Sequence, residues 1–159
     1  MTDQTSADPV AVSLAWLKAH ATVVAAFGTT ASITGVVEAP WPHLRVAPGA
    51  GGDLRGGRWD LDEDVLFEVI GSPDGSPGEA EMRRLAMVVV QAMLELPDRV
   101  HEATDPVVCQ VRPVGRPKPG QAPWTLGQRG VTTSGQSKWS ITMNVAMHPP
   151  LEEPEDPGS

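Results

Sequence analysis

The sequence predicts an α+β domain: a mainly antiparallel sheet of about four strands, two helices packed on one face, and a long β-hairpin loop. Three observations carry this prediction. Two segments, Val10–Val24 and Met82–Leu96, repeat apolar residues at helical spacing. Ser137–His148 alternates Trp139, Ile141, Met143, Val145 and Met147 with Lys138, Ser140, Thr142, Asn144, Ala146 and His148, the pattern of a half-buried strand. The elements then follow in the order helix, strands, helix, two strands, which suits helices segregated to one side of a sheet.

Residues 1–7 are polar and expected to be disordered, ahead of a single domain over 8–149. Asp8-Pro9 opens the first helix, with Asp8 as N-cap and Pro9 at the first helical position. Val10, Leu14, Leu17, Ala21 and Val24 form its apolar stripe, and Gly28 closes it. Trp16 lies off that stripe, at the helix edge or against a partner. Ile33–Ala39 and His43–Ala47 read as short strands around Pro40-Trp41-Pro42, where the prolines forbid a regular ladder. Pro48–Gly57 is Gly-rich and reads as a mobile loop. Asp64–Gly71 resumes a strand with Val65, Phe67 and Val69 on one side. Its other side, Leu66, Glu68 and Ile70, is mixed, so cover on both faces is expected.

Ser76-Pro77-Gly78-Glu79 has the spacing of a capping box and starts the second helix. Met82, Leu85, Ala86, Val89, Met93 and Leu96 form its stripe. Met87, Val88, Val90 and Leu94 widen the apolar arc, which marks it as the central, most buried helix, ending at Pro97. Val107–Val114 and Ser137–His148 are joined by a long Gly/Pro-rich loop. Residues 150–159 are acidic and Pro-containing and are expected to be disordered.

Charge is unevenly placed. The chain has 159 residues, 12 Lys+Arg and 20 Asp+Glu, a net charge of -8. Pro106–Pro150 contains Arg112, Arg116, Lys118, Arg129 and Lys138 and no acid, so it carries about +5 and the remainder about -13. A net acidic balance argues against general nucleic-acid binding. No apolar run approaches bilayer length, and the N-terminus has no signal-peptide pattern. The single Cys109 excludes an internal disulfide. A soluble protein made in a reducing compartment is expected.

Chemistry is hard to build from these residues. His20, His43, His101 and His148 lack metal-site spacing and read as surface or edge histidines. Cys109 alternates in phase with Val107 and Val111 and reads as a buried small hydrophobe. Asp60-Leu61-Asp62-Glu63-Asp64 offers oxygen ligands for a hard cation but lacks the pattern of a calcium loop, so a solvated acidic turn is preferred. The glycine clusters Gly49–Gly52 and Gly56-Gly57 do not open a helix and lack a phosphate-loop lysine. No catalytic, metal or cofactor site is expected.

What remains is an interaction surface. Arg116, Lys118 and Arg129 surround Trp124 in a loop with no local core of its own, and Trp is enriched at interface hot spots. These four are the candidate interface residues, with the Gly49–Gly57 loop as a second contact. Protein contact is preferred over simple solvation of a loop, and both over nucleic-acid contact.

The chain resembles the tail terminator proteins of long-tailed bacteriophages. The resemblance spans most of residues 8–149. It is carried by the Asp8-Pro9-Val10 helix reaching Trp16-Leu17 and by Glu38-Ala39-Pro40-Trp41-Pro42-His43-Leu44-Arg45-Val46. The approach of Arg58-Trp59 to Val65–Gly71, the start Gly75-Ser76-Pro77-Gly78, and the end at His148-Pro149 complete it. It implies a virion protein assembled in the host cytoplasm, forming a ring, typically a hexamer, that caps the tail tube and stops its polymerisation. The implied partners are further copies of the chain, the tail tube protein and the head–tail connector. DNA would only pass through the lumen, which an acidic lining would keep free of sticking. The family has no catalytic motif to carry over. Head–tail adaptors and other minor tail proteins are the alternative within this class. A small nucleic-acid-binding module is the alternative outside it.

Overall fold

A computed structural model describes residues 8–54, 61–100, 105–121 and 136–148. Among these residues the α-helices and strands run in the order α1 (Pro9–Ala19), α2 (Ala21–Phe27), β1 (Ile33–Thr34), β2 (His43–Leu54), β3 (Leu61–Ile70), α3 (Glu79–Leu94), β4 (Val107–Pro113), β5 (Lys118–Gln121) and β6 (Ser137–His148). The class is α+β as predicted. The sheet has six strands rather than about four, in the order β1-β2-β3-β6-β4, with β5 also on β6. Among the described residues only the short β1–β2 pairing is parallel.

The predicted first helix is two helices. Asp8 caps α1 through a 2.9 Å bond from the Val10 N–H to its carboxylate. At His20 the backbone turns extended (φ -81°, ψ 113°), and α2 departs at 78° to α1. The bend resets the buried face from the predicted Ala21 and Val24 to Val23 and Phe27. Tertiary contacts hold the corner. The Trp16 indole N–H donates to the Ala92 carbonyl at 2.8 Å, and His20 Nε2 lies 2.8 Å from Glu95 Oε2. The Trp16 and His20 rings also meet edge-on, with centroids 5.4 Å apart.

Helix α3 buries the predicted stripe Met82, Leu85, Ala86, Val89 and Met93. A 3₁₀ turn at Leu96–Asp98 adds the buried Leu96. The capping box does not form. Gly78 is the N-cap without a side-chain bond, and the Ser76 hydroxyl donates instead to Asp74 at 2.6 Å. Those bonds from Ser76 hold the Asp74 carboxyl below the ordinary range. The helices pack on the sheet face of Leu44, Val46, Val65, Phe67, Val69, Ile141, Met143 and Val145, forming one core.

Two irregularities correct the expected strands. The Gly-rich loop is largely strand, because β2 continues to Leu54. Between Pro48 and Gly52 the register slips, so residues 49–51 lie opposite Asp64 alone. Gly49 is required there: a Cβ would stand 2.7 Å from the Asp64 carbonyl oxygen. In β4 a second slip falls between Val108 and Gln110, opposite Met147 and Ala146. It skips Cys109, which is exposed, while Val108 and Val111 both turn into the core. The prediction of a buried Cys109 assumed unbroken alternation.

Candidate assembly interface

The basic segment divides between the two faces of the sheet edge. β4 and β5 lie along the same side of β6, Val107–Pro113 opposite Met143–His148 and Lys118–Gln121 opposite Ser137–Ser140. Between them the chain turns at Gly115, whose φ of +80° suits glycine. The predicted loop is therefore shorter, since β5 takes its first part onto the sheet. Prolines at 113, 117 and 119 withhold N–H donors along this edge, which discourages further strand pairing.

Arg116 and Lys118 are both exposed but serve different faces. Lys118 pairs in register with Ser140, on the face of Glu68, away from the helices. Pro119 pairs with Trp139 on the helix face. There Arg116, Pro117, Pro119 and Trp139 meet the outer side of α3 across a groove of about 410 Å³. The helix supplies Glu79, Arg83 and Met87, one residue per turn, with Ala80 beside them. Trp139 is half-buried against the core, and Met87 is 42% exposed. Among the described residues the groove thus has an apolar floor, two guanidinium groups and one carboxylate.

Trp124 and Arg129 lie outside the described residues, as do residues 55–57 of the expected second contact and the segments 1–7 and 149–159. Of the four candidate residues, the structure brings Arg116 into a shaped surface and sets Lys118 apart from it. Arg83, Met87 and Trp139 were missed. The available signal was Met87, an apolar residue off the helical stripe, which the widened arc led us to expect buried.

Lys138, at the start of β6, is structural. Its Nζ lies 3.0 Å from Glu68 Oε2, and Arg45 Nη1 bonds the other oxygen of the same carboxylate. Glu68 is buried, so this pairing joins β2, β3 and β6 on the face away from the helices. Further along that face Asn144 Nδ2 donates to Asp62 and, at 3.0 Å, to Asp64. The predicted acidic turn is therefore strand from Leu61 onward, and Asp60 lies outside the described residues. Glu63, on the helix side, has its carboxyl pushed up by burial and by the neighbouring Asp8. His43 is buried, with Nε2 2.8 Å from Thr34 Oγ1, and burial pushes its ring nitrogen down toward the neutral form. Among the described residues no three His, Cys, Asp or Glu side chains are grouped to hold a metal ion. Nor is any single helix among them long and apolar enough to cross a membrane.

No family model matches the sequence, and no curated protein does. The fold is nonetheless found in a solved structure. A chain of the virion of a native gene transfer agent particle superposes with a TM-score of 0.61 at 15% identity. The match covers 89% of this chain and 96% of that one, so the two share an α+β fold over almost their whole lengths.

Proposed function

We propose that this chain is a structural protein of a phage-like virion and, within it, the tail terminator. Several copies close into a ring on the finished tail tube, stop its growth and offer a surface to the head connector. The observation that carries the reading is the end-to-end sharing of fold with a chain of a virion particle. The separation of charge supports it, since a basic sheet edge on an acidic body favours docking between like copies in one register. A heterologous contact of that kind closes a ring when the rotation between neighbours closes. The work is assembly rather than catalysis and needs no cofactor.

The test is to add the purified chain to polymerising tail tubes and image them by negative stain. The reading expects ring-shaped caps and tubes of arrested length. Replacing Arg116, Lys118 and Arg129 with Glu should leave the chain folded by circular dichroism and reduce capping by about tenfold or more. Tubes that grow unchecked and uncapped in the presence of the folded wild-type chain would exclude the terminator role.

A further inference from the structure

The groove between α3 and the β4–β5 edge has the makings of a peptide site. Its floor is Trp139 with Pro117, Pro119 and Met87, apolar and partly exposed to solvent. Aromatic and proline surfaces of this kind receive polyproline II segments, which arrive already extended and lose little entropy on docking. Among the described residues Arg83 and Arg116 stand on the groove against Glu79 alone, so an acidic ligand is favoured over a basic one.

The chain itself contains a segment of that description. Residues 149–157 read Pro-Pro-Leu-Glu-Glu-Pro-Glu-Asp-Pro, with four acids among four prolines and one leucine. Pro154-Glu155-Asp156-Pro157 places two prolines three residues apart, the repeat of a polyproline II turn, with carboxylates between them. We propose that this groove binds the acidic proline segment 149–157 of a neighbouring copy. Prolines 154 and 157 would lie on Trp139 and Pro119, and the intervening carboxylates would meet Arg83 and Arg116.

Reach favours a neighbour over the same chain. β6 ends at His148, nine residues beyond Trp139, a distance of about 30 Å at strand rise. In polyproline II form Pro157 lies only about 28 Å beyond His148, and Pro154 about 19 Å. Even a tail running straight back along its own strand would leave the proline pair short of Trp139. A copy placed head-to-tail has no such limit, and repeated around a ring the contact would link each protomer to the next. The inference shares with the terminator reading only the need for a second copy.

The experiment uses the full-length chain with Glu152, Glu153, Glu155 and Asp156 changed to Lys, so that its own tail does not compete. A fluorescent peptide of residues 149–159 is titrated with it and followed by anisotropy. Saturable binding is expected, weakening as salt rises. It should weaken by about tenfold or more when Arg83→Glu and Arg116→Glu are added, and also when the peptide carries Pro154→Ala and Pro157→Ala. No saturable binding overturns the proposal. Equal binding of the peptide lacking Pro154 and Pro157 also overturns it, because the groove would then be reading charge rather than the proline pair. Sedimentation velocity on the wild-type chain decides which copy supplies the tail. The four tail substitutions should reduce concentration-dependent association. If the peptide binds yet they leave the mass unchanged at every concentration, the neighbouring copy is excluded. None of these measurements involves tail tubes, so a failed groove and a failed terminator role are distinguishable.

Discussion

The two faces of β3 are buried by opposite means. Val65, Phe67 and Val69 face the helices and are held by close packing with Leu44, Val46 and Ile141 on the neighbouring strands. Asp62, Asp64 and Glu68 face the other way and are held by Asn144, Arg45 and Lys138. The apolar face tolerates any side chain of similar shape, because dispersion and water exclusion have no direction. The polar face is a set of matched partners, and losing one leaves another buried without its charge or hydrogen bond. One strand thus carries a nonspecific half and a register-specific half. The register of β2, β3 and β6 is pinned at Arg45, Glu68 and Lys138.

The largest blow to this comparison falls on the apolar side. Phe67 is fully buried, so Phe67→Ala should lower the free energy of unfolding by about 3–5 kcal/mol, read by urea denaturation. A loss below about 1 kcal/mol would mean that this face is not the core. Glu68→Gln comes next, at about 1–3 kcal/mol, since two cations lose their charge partner at a partly screened site. Exchanging all three members together, as Arg45→Met, Glu68→Leu and Lys138→Met, should cost less than Glu68→Gln alone. If it costs more, the network is a net source of stability rather than a device of register. The smallest effect is at Glu63, whose carboxyl is pushed up by burial and by Asp8. A raised value in the fold means that stability is present below the ordinary carboxylate range and is lost as pH rises through the raised value. Glu63→Gln should therefore stabilise by about a few tenths of a kcal/mol at pH 7 and by nothing at pH 3. A loss at pH 7 would contradict that sign.

Much of the fold was legible because period and capping are local. The Asp8-Pro9 start, the stripe from Met82 to Met93, the β6 alternation and the two-sided cover of β3 all follow from residues a few positions apart. The departures come where distant groups intervene. Nothing near His20 signals a helix break, since the contacts across that corner are to Ala92 and Glu95, over 70 positions away. The slip at Cys109 depends on the register with β6, and Gly49 depends on the approach of Asp64. The candidate interface was legible as charge: Arg116 and Lys118 stand out in an acid-free segment. Their separation onto two faces was not, because a short strand after Gly115 sets it.

By itself, the sequence determined the class, the helix-facing core and the contrast between a basic edge and an acidic body. Composition and hydrophobic period decide these wherever the chain folds compactly. Only the tertiary structure decided the groove. Trp139 is one beat of an alternating strand and Met87 one residue beyond a helical stripe. They line a common groove because β5 closes along β6 and α3 lies over that edge, a relation between elements that no local pattern encodes.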